Sequence, residues 1–366
     1  MGGRLTLAIP QTDSFSVPTH VSPSGRPLLK WAGGKRQLLR ALARHYPPQF
    51  DRYVEPFVGS GAVFFHLASS GTLAGRQVDL CDVNADLIGC YLALRNRTED
   101  VIRGLGALER DHRRRGDACY YEVRDARFNP LRAELFSRIA DPGDVAAAYP
   151  PALAAMLIFL NRTGFNGLYR LNRRGQFNVP AGRYTEPRIL DRDHLRAVAA
   201  AFRLPGVTIR YRSFDLTLAD TGAGDFVYCD PPYAPLSATS SFASYTADGF
   251  TSFDQQRLQA AVIAACRRGA RVLVSNSSAA EIWRIYSTPD AARAGLRIWS
   301  VPARRAINSR ATARGPVDEL IISNVKASAP REEAPHAATG RAGKLRMLRA
   351  RDPHQRAAAR ARKRQA

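Results

Sequence analysis

The chain has 366 residues, of which 45% are hydrophobic, so it can bury a sizeable core and is not a disordered protein. Lys and Arg number 54 against 32 Asp and Glu, a formal charge of +22. That balance ill suits a small-molecule metabolic enzyme and points to a polyanion, whose phosphates release counterions when neutralised. A membrane is the weakest partner class, since no run of about 18 apolar residues occurs and the N-terminus lacks a secretion-signal layout. The five cysteines at 81, 90, 119, 229 and 266 are odd in number and have neither C-x-x-C pairing nor zinc spacing. Reduced thiols, a cytoplasmic location and no structural metal are therefore expected.

Taken in chain order, residues 1–26 form a leader rich in Ser, Thr, Pro and Gly. The basic string Lys30-Trp31-Ala-Gly-Gly-Lys35 follows. Strands are predicted at Tyr53–Phe57, Gln77–Cys81, Val207–Tyr211, Phe226–Cys229, Arg271–Ser275 and Glu319–Ile322, and helices at Gly61–Ala68, Ala85–Arg95, Asp254–Arg267 and Glu281–Tyr286. Short apolar strands alternating with amphipathic helices predict an α/β fold, a Rossmann-like doubly wound sheet built from residues 27–96 and 206–326. Residues 97–205 break the rhythm and read as an inserted, mainly helical domain, with apolar runs at Leu153–Leu160 and Leu190–Phe202. Residues 327–366 form an Ala/Arg/Pro tail carrying 11 Lys/Arg and 3 Asp/Glu, expected to be disordered when free.

Three motifs carry chemistry. In Tyr53-Val-Glu-Pro-Phe57-Val-Gly59-Ser-Gly61 a strand runs into a glycine turn and a helix. Such a turn lets backbone approach a ligand, or is merely a tight strand–helix connection. Phe64 stands where a dinucleotide fingerprint needs its third glycine, which leaves a smaller nucleoside cofactor. The second strand ends at Asp82, which either accepts the two hydroxyls of a ribose or caps the helix beginning near Ala85. The decisive string is Phe226-Val-Tyr-Cys-Asp230-Pro231-Pro232-Tyr233. Paired prolines stiffen the turn and withdraw two N–H donors, leaving the Asp230 carboxylate and the Pro231 carbonyl as acceptors at a strand end. An adenine amino group is a poor nucleophile because its lone pair is delocalised into the ring. Accepting its two protons localises that pair, while Tyr233 offers a face on which the base stacks. Methyl then transfers in line from a sulfonium without a covalent enzyme intermediate.

Asp-Pro-Pro-Tyr together with Lys30–Lys35 and the Phe57–Gly61 turn resembles the Dam-type DNA adenine methyltransferases. The order is theirs too: glycine motif, recognition domain, catalytic motif. The resemblance runs from about Leu28 to Ile322 and includes Asn161–Arg170, Gly175–Tyr184 and Ala234–Tyr245. It implies S-adenosylmethionine as cofactor, with Trp31 against the nucleoside, Lys35 near the methionine carboxylate, Asp82 on the ribose, and Phe214 and Asp215 at the adenine ring. It also implies that the Arg/Asn loop reads double-stranded DNA. Residues 161–192 hold seven Arg and two acids, with Phe165, Tyr169, Phe177 and Tyr184 interleaved; a merely solvated basic face is the alternative. By resemblance Phe165 wedges into the duplex as the adenine flips out, and Asn166 helps to hold the gap. Leu168 and Pro180 meet a thymine methyl, while Arg170 and Lys30 each read an outer guanine, giving GATC as the target. The resemblance further implies a monomer, associated with the nucleoid through its DNA.

The chain departs from this pattern in places. Phe165 stands where the family often has Tyr, Arg304–Arg310 replaces a Ser-Asn-Gly-like turn, and the basic tail has no counterpart. An N4-cytosine methyltransferase would usually carry Ser, and a protein-glutamine or RNA methyltransferase Asn, where Asp230 stands. A catalytically silent DNA-binding protein on the same fold would not need the full set of chemical residues.

Overall fold

The computed structural model describes residues 26–31, 35–234, 250–304, 316–327 and 346–347. The leader, most of the tail, the continuation of the catalytic motif past Ala234 and the turn around Asn308 lie outside the described residues. The strands are β1 (Arg52–Glu55), β2 (Gln77–Asp82), β3 (Val207–Tyr211), β4 (Asp225–Cys229), β5 (Arg271–Ser277), β6 (Arg297–Arg304), β7 (Pro316–Ser323) and the two-residue β8 (Arg346–Met347). They form one sheet in the order β3-β2-β1-β4-β5-β7-β6-β8. β1 to β5 run parallel, and β7 enters antiparallel between β5 and β6. Strand order reverses between β1 and β4, so their carboxyl ends open the crevice in which such sheets bind ligands.

Helices α1 (Leu39–Ala43), α2 (Ala62–Ser69) and α3 (Ala85–Asn96) pack on one face. The insertion follows as α4 (Thr98–Arg115), α5 (Asp117–Glu122), a π-helical turn, α6 (Asn129–Arg138), α7 (Pro142–Ala147), α8 (Pro151–Thr163) and α9 (Arg192–Phe202). α4 has Glu99 and Asp100 in its first turn and His112 to Arg115 in its last, the charge order that complements a helix dipole. α8 opens with proline at its first position, where no N–H is needed. α10 (Phe214–Ala219), α11 (Ser252–Arg267), α12 (Ala280–Tyr286) and α13 (Pro289–Arg293) belong to the opposite face.

Strand alternation divides the core in two. Phe226 and Tyr228 of β4 join the cluster beneath α2, α3, α8 and α9, while Val227 and Cys229 join the one beneath α10 to α12. Every residue of β4 is buried, as in a parallel strand covered on both faces. Residues of the insertion, among them Leu153 to Leu160, share the first cluster with the sheet, so this segment builds on the core of the α/β unit. Phe64, where a dinucleotide fold has glycine, stacks on Phe202 at 5.8 Å and fills the space between α2 and α9. No helix among the described residues is long and apolar enough to cross a membrane. The five cysteines are free.

Candidate active site

The carboxyl end of β1 leads through Phe57 into a turn whose Gly59 and Gly61 have φ of 44° and 67°. A Cβ on Gly59 would come within 3.1 Å of the Trp31 indole, so glycine there lets Trp31 lie against the turn. Trp31 in turn stacks on Tyr169 of the insertion, 5.6 Å away.

Asp82 ends β2 facing this turn. Its Oδ2 accepts from the Gly59 N–H and its Oδ1 from the Asn84 N–H, both at 3.0 Å. Asn84 caps α3 by accepting from the Leu87 N–H, so the capping role considered for Asp82 falls to its neighbour. Desolvation raises the Asp82 carboxyl to about 6, against the opposing pull of the Gly59, Asn84 and Val83 N–H groups. Each oxygen retains acceptor capacity beyond these bonds.

Asp230 emerges from β4, on the other side of β1 from β2. Its Oδ1 accepts from the Ser275 hydroxyl at 3.1 Å and lies 2.8 Å from the Lys35 ammonium. Ser275 also shares a 2.9 Å hydrogen bond with the buried Tyr228 hydroxyl. Burial raises the Asp230 carboxyl, while Lys35 and Ser275 oppose the rise. Lys35 is 3% exposed, and an ammonium so enclosed needs a counter-charge. Where the family resemblance gives Lys35 a methionine carboxylate, the structure pairs it with Asp230. The same ammonium lies 4.4 Å from the Tyr233 ring centroid, and the Tyr233 hydroxyl donates to Glu319 of β7 at 2.7 Å.

The Pro-Pro turn is held by buried amides. Gln255 donates to the Pro232 carbonyl at 2.9 Å and accepts from Asn276 at 3.0 Å. Among the described residues the Pro231 carbonyl accepts no hydrogen bond. Beneath the site lies Glu55, 2% exposed and bonded by the Tyr53 hydroxyl at 2.9 Å. Burial pushes its carboxyl well above the usual range, the charges of Asp230 and Asp82 adding to the rise.

Phe57 and Phe214 stack at 5.4 Å beside the crevice, with Phe250 edge-on to both. Asp215 is ion-paired with Arg257, which occupies part of the carboxylate assigned to an adenine contact by resemblance. Gln255, Ser275, Asn276 and Glu319 were not among the residues singled out from sequence. The available signal was a cluster of polar residues, Ser275 to Ser277, at the end of an otherwise apolar strand.

The insertion presents a second surface. Phe165 (46% exposed), Asn166, Arg170 and Pro180 are exposed, and Leu168 is half-buried. Asn166 has a φ of 54°, a left-handed conformation that asparagine tolerates better than most residues. Arg170 donates from Nε to the Asn178 side-chain oxygen at 2.7 Å and from Nη2 to its carbonyl at 3.2 Å, leaving Nη1 outside these bonds. The interleaved aromatics divide. Tyr169 and Phe177 are buried core residues, whereas Tyr184 is exposed beneath the Lys30 ammonium, 4.6 Å from its ring centroid. The expectation of four aromatics on one basic surface is thereby corrected to two, because the alternate residues of this loop point inward to anchor it.

A family model for D12 class N6 adenine-specific DNA methyltransferases matches residues 31–307. The chain belongs to this family. It is 37% identical over 311 residues to the type II methyltransferase M.MjaIII of Methanocaldococcus jannaschii, covering 82% of this chain and 99% of that one. To the type II methyltransferase M1.LlaDCHI of Lactococcus lactis subsp. cremoris it is 34% identical, covering 82% and 95%. The DNA adenine methylase of Escherichia coli K12 is likewise 34% identical, covering 81% and 94%. The methyltransferase thus acts on adenine N6 in DNA with S-adenosylmethionine as methyl donor.

Proposed function

We propose that the enzyme, acting as a monomer, methylates an adenine flipped out of duplex GATC. The observation that carries this reading is the acceptor pair at the end of β4. Asp230 is fixed by Ser275 and Lys35, and the adjoining Pro231 carbonyl is open among the described residues. When bound, S-adenosylmethionine supplies an electrophilic methyl group on a sulfonium.

The enzyme's residues do the positioning. Asp82 accepts the ribose hydroxyls with the capacity left after its bonds to Gly59 and Asn84, and the Gly59–Gly61 turn admits the ligand close to backbone. Phe57, Phe214 and Asp215 bound the adenine, Trp31 flanks the nucleoside, and Lys35 serves the methionine carboxylate as well as Asp230. Asp230 and the Pro231 carbonyl accept the two protons of the target amino group, localising its lone pair toward the methyl. Tyr233, its hydroxyl anchored on Glu319, stacks on the flipped base.

Residues 97–205 form the recognition domain, joined to the catalytic segments 27–96 and 206–326. Phe165 and Asn166 fill and brace the gap left by the flipped base. Leu168 and Pro180 meet the thymine methyl, and Arg170 and Lys30 read the outer guanines. Arg is suited to this because guanine offers O6 and N7 as paired acceptors in the major groove.

Incubation of the purified enzyme with plasmid and tritiated cofactor, followed by sequencing of the modified positions, tests the reading. N6-methyladenine confined to GATC is expected. Methyladenine in another motif would reject the assignments of Lys30, Leu168, Arg170 and Pro180 and leave the activity standing.

A further inference from the structure

Asn161 lies in the last turn of α8 and is 2% exposed. A buried carboxamide must place two N–H donors and an acceptor, and this one places all three outside its own helix. Its Oδ1 accepts from the Lys30 N–H at 2.9 Å, and its Nδ2 donates to the Lys30 and Gly167 carbonyls, both at 2.8 Å. One side chain thus binds both backbone groups of Lys30, as a neighbouring strand would, and ties them to the turn that carries Phe165 and leads to Arg170.

Packing makes the same junction tight. A Cβ on Gly167, whose φ is +64°, would fall 2.5 Å from the Lys30 Cβ. The turn is held from its other side by the Phe165 N–H, which donates to the Pro180 carbonyl at 2.9 Å. Lys30 and Arg170 therefore project from a single clasped unit, although they are far apart in sequence.

We infer that Asn161 is a positioning residue for sequence specificity, holding Lys30 and the Phe165–Arg170 loop in one register so that both outer base pairs are read at a fixed spacing. The inference rests on the reading of Lys30 and Arg170 as base contacts. Recognition groups must be held to within roughly half an ångström of their productive geometry, so loss of the clasp misplaces both readers at once, although Asn161 itself meets no base.

The test measures methylation rates on GATC duplexes and on duplexes altered at the first or the last base pair, with Lys30→Ala, Arg170→Ala and Asn161→Ala. Lys30→Ala and Arg170→Ala should each relax one outer position. Asn161→Ala should relax both by roughly tenfold or more, with cofactor affinity unchanged. A uniform loss of rate on all duplexes, with preferences intact, would overturn the inference and make Asn161 merely structural. Should Asn161→Ala not fold, Gly167→Ala presses on the same junction from the other side, and the same double relaxation is expected of it. If neither Lys30→Ala nor Arg170→Ala alters preference but Asn161→Ala does, the base-reading assignments fail and the positioning role stands.

Discussion

The candidate catalytic crevice and the proposed reading loop solve the same problem, holding polar side chains still, by different means. In the crevice Asp82 and Asp230 stand at the ends of buried parallel strands, and partners come from other strands of the same sheet: Ser275 of β5 for Asp230, Glu319 of β7 for Tyr233. Regular backbone does most of the positioning. The proposed reading loop has little regular pairing of its own, with isolated bridges between Gly164 and Ala181 and between Leu171 and Phe177. It is held instead by buried polar anchors. Asn129 bonds both the N–H and the carbonyl of Phe177. Asp86 of α3 accepts from the Tyr149 and Tyr169 hydroxyls at 3.0 and 2.5 Å and from Arg132 at 2.7 Å. Arg132 passes the constraint on to the Gly175 carbonyl at 2.8 Å. A loop can therefore be held as a strand end is, provided that polar groups are buried with their partners.

The contrast predicts separable failures. Asp86→Ala leaves the Arg132 guanidinium enclosed without its counter-charge, which should cost about 3–5 kcal/mol of stability. Urea denaturation measures it, and a loss below about 1 kcal/mol would mean that the loop is held by something other than this node. Asp230→Ala also leaves an enclosed cation, Lys35, without its counter-charge, but its larger effect should fall on turnover. The sheet keeps its core, while losing about 3 kcal/mol of transition-state stabilisation slows turnover on the order of a hundredfold. Single-turnover methylation by a folded variant at near-normal rate would remove Asp230 from the chemistry. The smallest effect is expected from pH. Protonating Asp82 turns one of its acceptors into a donor, so cofactor affinity should weaken as pH falls through about 6. Asp82→Asn should bind more weakly at neutral pH and lose that dependence, as titration calorimetry at several pH values can establish.

What could be read from sequence was what lies close together along the chain. Asp230-Pro-Pro-Tyr, the Gly59–Gly61 turn and Asp82 each combine a strand end with a chemical group within a few residues, and alternation of apolar residues located six of the strands within a few residues of their ends. β6 was not anticipated, since Pro302 and the arginines at its ends interrupt its apolar pattern; pairing with β7 makes it a strand. Asp82 and Asn84 both suit a helix start, and only the bond from Gly59 to Asp82 divided their roles. Tyr169 and Phe177 look like Phe165 and Tyr184 in a one-dimensional reading, yet one pair is core and the other surface.

By itself the sequence determined the doubly wound sheet and the family, because hydrophobic period and contiguous motifs are local properties. The tertiary structure alone decided that Lys35 pairs with Asp230, that Asp86 anchors the loop and that Asn161 joins Lys30 to Gly167. Each of those interactions satisfies a buried charge or amide with a partner distant in the chain, and burial is settled only when the chain has folded.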